Sequence, residues 1–222
     1  MPADFWFNRH IEYWNLPAAE DVLDHVRRAR VQVVQMGNFG PDFYSVAEDP
    51  EVNRSLCGMP VVGIEPNLAL AAQLIPQVRD AGARVVGQLS MTLYFGDHEA
   101  GLGLFGPVWE QMWTPAILGT APADSVTEAA ALTDGAPSRR IIEGRPYFTC
   151  RGCIANPVWL TTLKAMVTKG IDLGLQGFNA THNYEGFCGC TYCADAIRGH
   201  LEGEHGLRPE ELSNLFGGNL DK

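Results

Sequence analysis

Three thiols fall within six residues at Cys188-Gly189-Cys190-Thr191-Tyr192-Cys193, and two more stand at Cys150 and Cys153. Zinc takes four tetrahedral ligands, and short loops deliver thiolates to it in clusters, with the remainder from elsewhere in the chain. The spacing predicts one structural zinc held by Cys188, Cys190 and Cys193, completed by Cys153 or Cys150. Buried free thiols are the plainer alternative, but three in one six-residue, glycine-containing loop count against it. Iron–sulfur ligation uses the same donors and stays open. Cys57 stands apart, as a core or loop thiol.

A second constellation is Asn179-Ala180-Thr181-His182-Asn183-Tyr184-Glu185. It follows an expected strand directly, where α/β folds place binding and catalytic groups. Glu185 could act as a general acid or base. Asn38 stands in a comparable place after the first clear strand. The plainer alternative is a solvated loop carboxylate beside a hydrogen-bonded loop histidine. Asp97-His98-Glu99 occupies a comparable place after another strand. Trp6, Trp14, Tyr94, Trp109 and Trp113 offer flat faces that stack on sugar rings or simply pack. Gly101-Leu102-Gly103-Leu104-Phe105-Gly106 matches G-x-G-x-x-G, but it opens no helix after a strand and is discounted as a dinucleotide fingerprint.

The elements that must position these groups alternate. Val22, Leu23 and Val26 recur at helical spacing in a helix over 18–29, and a buried strand over 31–36 follows. An irregular stretch runs to Pro66. Leu70, Leu74 and Val78 mark a helix over 68–81, and 84–91 reads as a second buried strand. Residues 95–142 are glycine-interrupted and poorly periodic, and loops this long in a compact domain are usually functional or mobile. A helix over 157–170 opens at Pro157, a strand spans 173–179, and helices follow over 194–204 and from 208. Apolar strands alternating with helices imply one α/β domain over 1–222 with a parallel sheet.

Composition sets the outer bounds. Of 222 residues, 46% are hydrophobic and 19% charged, which argues against disorder. The net charge of −10 and the lack of a basic patch argue against nucleic acid. Arg27, Arg28 and Arg30 end a helix, where positive charge suits the dipole. No run of apolar residues is long enough for a membrane span. Nor does the N-terminus show a secretion signal, so a cytoplasmic protein is expected.

The stretch 179–206 resembles the glycoside hydrolase family 42 β-galactosidases and related TIM-barrel glycosyl hydrolases. That family has a Cys-x-Cys-x-x-Cys loop followed by a helix of the form Phe-Arg-x-Trp-Leu-x-x-x-x-Gly. Here the cysteine loop precedes Ile197-Arg198-Gly199-His200-Leu201 and Glu204-His205-Gly206. The family's upstream Cys-Pro-x-x-Pro element resembles Cys153-Ile154-Ala155-Asn156-Pro157. Val33-Val34-Gln35-Met36-Gly37-Asn38-Phe39 resembles its second-strand segment, and Val85-Val86-Gly87-Gln88-Leu89 its third.

The resemblance implies a (β/α)8 barrel, of which this chain would be the first half, and a zinc held by Cys153, Cys188, Cys190 and Cys193 beside the active site. It implies a β-galactosidase-like hydrolase acting on a carbohydrate, with an Asn-Glu pair after the fourth strand supplying the acid/base and with Asn38, Asn179, His182 and Asn183 as hydroxyl-binding groups. This chain departs there. Asn179-Ala180 stands at that point, and only a gapped match gives the role to Glu185. The family's nucleophile, on a seventh strand, has no counterpart in 222 residues. The alternative expectation is therefore a non-catalytic carbohydrate-binding protein. The open sheet edges of half a barrel make a homo-oligomer an expectation as well.

Overall fold

The computed structural model describes residues 7–13, 19–37, 39–48, 63–141, 148–181 and 188–216. The chain begins with β1 (His10–Tyr13), α1 (Ala19–Ala29), β2 (Val33–Met36), α2 (Pro41–Ala47), α3 (Ile64–Asp80) and β3 (Arg84–Ser90). An insertion follows, with β4 (Leu93–Asp97), β5 (Leu102–Gly103), α4 (Val108–Met112) and a 3-10 turn (Val126–Ala129). It ends in β6 (Leu132–Thr133), β7 (Ala136–Pro137), β8 (Arg139–Ile141) and β9 (Phe148–Arg151). The chain then returns through α5 (Pro157–Asp172) to β10 (Phe178–Thr181), and α6 (Thr191–His205) and α7 (Pro209–Phe216) come last.

The main sheet is parallel, in the order β1-β2-β3-β10. With the insertion set aside, neighbours in space are neighbours in sequence. That is how four consecutive units of a (β/α)8 barrel are arranged. His10 lies opposite Val33, Val33 opposite Arg84, and Gly87 opposite Phe178. Strand side chains alternate between faces, and here the alternation divides cleanly. Val34, Met36, Val85 and Leu89 join the core with Val22 and Val26 of α1, Leu74 and Val78 of α3, and Trp159 and Met166 of α5. The residues between them face the other side. Among the described residues, the outer edges of β1 and β10 pair with no strand.

Local chemistry explains the helix starts. Asn156 caps α5, its Oδ1 accepting from the Val158 amide at 2.9 Å, and Pro157 fills the first turn. The helix expected from residue 68 begins at Ile64, whose amide is met by the Glu48 carboxylate. Pro66 does not delay it, because a first-turn residue needs no amide donor. Pro41 likewise opens α2 inside the stretch expected to be irregular.

Two expectations need correction. The region 95–142 is not one long loop: its two ends supply strands to a second, antiparallel sheet in the order β5-β4-β9-β8, and α4, the 3-10 turn and the β6-β7 pair lie between them. The last parallel strand starts at Phe178 rather than 173, because Leu173 caps α5 and Gly174 turns the chain at φ 101°. The run Gly101–Gly106, with three glycines, forms β5 and a turn, and Gly101 and Gly103 take positive φ.

Candidate metal centre and the inner face of the sheet

Cys153 reaches its place through Gly152. The Gly152 amide donates to the Thr92 carbonyl at 2.8 Å, and a Cβ on Gly152 would overlap the Trp159 indole. Trp159 is fully buried and donates through Nε1 to the Met91 carbonyl at 2.8 Å. The Cys153 amide donates to the Ala129 carbonyl at 2.9 Å. The last residue of the insertion is thus pinned between the 3-10 turn and the start of α5.

The other three thiols follow β10. Cys190 is the N-cap of α6, and Cys193 sits in that helix's first turn. The Cys153 sulfur lies 3.4 Å from that of Cys190 and 3.4 Å from that of Cys193. The four sulfurs of Cys153, Cys188, Cys190 and Cys193 all lie within 4.8 Å of one another. Zinc bound to sulfur at about 2.3 Å gives a tetrahedral edge of about 3.8 Å, inside that spread. None of these cysteines is in a disulfide.

The surroundings treat the thiols differently. The Leu132 amide donates to Cys188 Sγ at 3.3 Å, and the Gly189 amide returns to the Leu132 carbonyl at 2.9 Å. Burial raises the Cys188 pKa, but amide donors from Leu132 and Cys190 outweigh it, and the net shift is downward. Burial and the neighbouring thiols of Cys193 and Cys190 push Cys153 up, although it accepts from the Ala155 amide. Cys193 is pushed up to about 11, chiefly by burial. Cys153 and Cys188 each accept from the amide two residues on, the arrangement that aims two sulfurs at one point. The positive end of the α6 dipole faces the same place. The residues present therefore fit a tetrathiolate metal ion. Four thiolates close the shell, so such an ion would brace rather than catalyse.

Cys150 is not part of this cluster. It lies in β9, is 1% exposed, and its Sγ donates to the Gly96 carbonyl at 3.3 Å. Burial and the nearby Asp97 charge push its pKa up to about 12 against the opposing pull of Arg139. Asp97 itself accepts from the Glu99 and Ala100 amides and pairs with Arg139 at 3.2 Å. It closes a turn. Trp109 and Trp113 pack edge to face with ring centroids 5.7 Å apart, and Trp109 and Tyr94 are buried in the core. They offer no open platform.

The face of the parallel sheet opposite this core carries a second cluster, in which Gln35 and Gln88 are buried. Gln35 Nε2 donates to Glu12 Oε1 at 2.7 Å and to Gln88 Oε1 at 3.4 Å. Asn179 Nδ2 donates to Gln35 Oε1 at 2.8 Å. Each of the four parallel strands thus contributes one polar residue to a single hydrogen-bonded row. Beside it a cavity of about 420 Å³ is lined by His10, Val33, Gln35, Val86, Phe178 and Asn179. Further toward the strand ends, buried Ser90 Oγ and Thr181 Oγ1 have no hydrogen-bond partner among the described residues.

Of the expected site residues, Asn179 joins this row, and the four cysteines come together. Asn38, His182, Asn183 and Glu185 lie outside the described residues. The sequence reading missed Glu12, Gln35 and Gln88. The available signal was a glutamine in the middle of two otherwise apolar strands.

A scan against protein-family models finds no match, and a search of curated proteins finds none. Solved structures do match. A maltogenic α-amylase from Thermotoga neapolitana has a TM-score of 0.48 at 8% identity, over 87% of this chain and 43% of that one. A cyclic α-maltosyl-(1→6)-maltose hydrolase from Arthrobacter globiformis scores 0.47 at 13% identity, over 88% of this chain and 48% of that one. The trehalose-6-phosphate hydrolase of Bacillus licheniformis scores 0.43 at 11% identity, over 78% of this chain and 34% of that one. The chain spans less than half the length of each, and none is a β-galactosidase by name. At these scores the likeness decides nothing about activity, and the fold rests on the strand pairing described above. No helix among the described residues is long and apolar enough to cross a membrane.

Proposed function

We propose that the chain is a zinc-braced part of a glycoside hydrolase-like barrel, β-galactosidase-like in kind, that binds a carbohydrate on the inner face of its parallel sheet. The observation that carries this is the row Glu12–Gln35–Asn179, with Gln88 beside it. Amides and a carboxylate in one connected row present both donors and acceptors, which is what sugar hydroxyls require. Three of the four cysteines follow β10 and would anchor the chain that runs on from Thr181. The residues between Thr181 and Cys188 include His182, Asn183 and the acid/base candidate Glu185.

A second reading is a carbohydrate-binding protein without hydrolysis. One observation favours it: Glu12 is the only carboxylate in the polar row among the described residues, and glycoside hydrolysis needs two. The test takes zinc-loaded protein and titrates galactose and lactose, following amide chemical shifts, while p-nitrophenyl β-galactoside reports turnover. Binding that Asn179→Ala abolishes, together with turnover that Glu185→Gln abolishes, supports the hydrolase. Binding without turnover supports the second reading. A folded, zinc-loaded protein indifferent to both sugars contradicts both.

A further inference from the structure

We propose that the parallel sheet carries an oxyanion site at the end remote from the cysteines, built by Arg79, Arg84 and Gln176, and that it takes a phosphate group. The proposal is independent of the carbohydrate and metal readings.

A cavity of about 490 Å³ lies where α3 turns into β3, lined by Arg79, Asp80, Gly82, Arg84 and Gln176 among others. Arg79 stands in the last turn of α3, and Arg84 opens β3. Gln176 comes from the neighbouring unit, in the turn between α5 and β10. The two strands are parallel, so these positions share one end of the sheet. Cys188, Cys190 and Cys193 follow the other end.

The three side chains bring donors. The Val85 amide donates to Gln176 Oε1 at 3.2 Å, and the Gln176 amide donates to the Val85 carbonyl at 2.9 Å. A backbone N–H requires an acceptor, so the side-chain amide is held with its Nε2 donor unspent. That nitrogen meets no acceptor among the described residues. Arg79 reaches over the opposite turn: a Cβ on Gly174, which holds φ at 101°, would lie 3.4 Å from its Nη1. Its guanidinium has no partner among the described residues, Asp80 included. Arg84 is engaged elsewhere as well, and it adds a second permanent positive charge to the wall.

Two positive charges against the one negative charge of Asp80 leave this cavity positive on a chain of net charge −10. The dipole of α3 accounts for Arg79 at its end. It accounts neither for Arg84 nor for a glutamine locked with its donor open. Guanidiniums take oxyanions through paired N–H bonds. Donors from three separate elements suit the three free oxygens of a phosphate monoester better than the two of a carboxylate. The ligand would tie the α3–β3 turn to the α5–β10 turn. Barrels of this kind keep catalysis at the other end of their strands, so the bound phosphate acts as a stabilising effector rather than a substrate.

The test titrates inorganic phosphate, glucose 6-phosphate and acetate into the full 222-residue chain at constant ionic strength, following amide chemical shifts. Phosphate is expected to shift the Val85 and Gly174 amides and the Gln176 side-chain amide to saturation. Acetate is expected to bind about tenfold more weakly. Tighter binding of glucose 6-phosphate assigns the site to an ester, and equal or weaker binding to the free ion. Gln176→Glu keeps an acceptor for the Val85 amide and replaces the open donor with a carboxylate oxygen. It is expected to weaken phosphate about tenfold or more, as is Arg79→Gln, which removes a charge at an exposed position. Circular dichroism checks that both variants fold, and if Gln176→Glu does not, Arg79→Gln decides. A wild type without saturable shifts, acetate that binds as tightly as phosphate, or folded variants that bind phosphate as the wild type does, overturns the proposal.

Discussion

Leu132 and the Cys188-Gly189 pair are tied in both directions: the Leu132 amide donates to Cys188 Sγ, and its carbonyl accepts from Gly189. A residue of the insertion after β3 is thereby joined to the loop after β10, across 56 positions of sequence. With Cys153 supplied by the end of β9, the cluster links both sheets. If a metal fills it, removing the metal should loosen that link while the parallel sheet remains. Chelation is expected to raise hydrogen exchange at the Leu132 and Gly189 amides far more than at Val34 or Val85. Equal exchange at all four would contradict this.

The cysteines should separate by substitution. Cys190→Ser is expected to lose the metal, because a four-thiolate shell keeps its affinity only with every donor present. Cys150→Ser is expected to keep it, since that thiol points to the Gly96 carbonyl within the second sheet. Metal content of the two purified variants checks this, and equal loss in both would place Cys150 in the shell.

Cys150 should also be chemically silent in the folded state. Its pKa is pushed up to about 12, chiefly by burial, whereas an unfolded thiol ionises near 8.5. Iodoacetamide at mildly alkaline pH is expected to label metal-free Cys188, whose pKa is lowered, well before Cys150. The neutral buried thiol contributes its stability fully below the unfolded pKa, and that contribution is lost as pH rises toward the folded value. Urea melts across alkaline pH should therefore fall more steeply for wild type than for Cys150→Ala.

Gly152→Ala should be costly for so small a change. The added methyl meets the buried Trp159 ring, which is held by its bond to Met91. Overpacking of this kind costs about 1–3 kcal/mol. Urea denaturation measures the loss, and weakened metal retention should accompany it because Cys153 is the next residue.

Gln35 holds three partners at once. Gln35→Ala should cost about 1–3 kcal/mol, since Glu12 and Asn179 lose their partner on a partly buried face. Combining it with Asn179→Ala should cost less than the sum of the two single changes. Strict additivity would mean that the row is not connected.

How far the sequence discloses this differs from element to element. α3, β3 and α5 are legible because their signals are local: Leu70, Leu74 and Val78 at helical spacing, then an apolar run, then Pro157 at a helix start. The cysteine cluster is legible because three of its members lie within six residues. The second sheet is not, because its strands are two to five residues long and pair across the insertion, Leu93 with Arg151 and Tyr94 with Cys150. No periodicity within one window carries such pairing. β1 hides for a related reason, as His10 and Glu12 lie on the face of the polar row and only Ile11 and Tyr13 pack on the core. Gln35 and Gln88 look like blemishes in apolar strands until the parallel register places them in one row.

The most direct test of the account is zinc-edge X-ray absorption on the purified full chain, with metal content measured on the same sample. The account predicts one zinc per chain with four sulfur neighbours at about 2.3 Å. A metal-free folded protein, an iron centre, or nitrogen or oxygen in the first coordination sphere would contradict it.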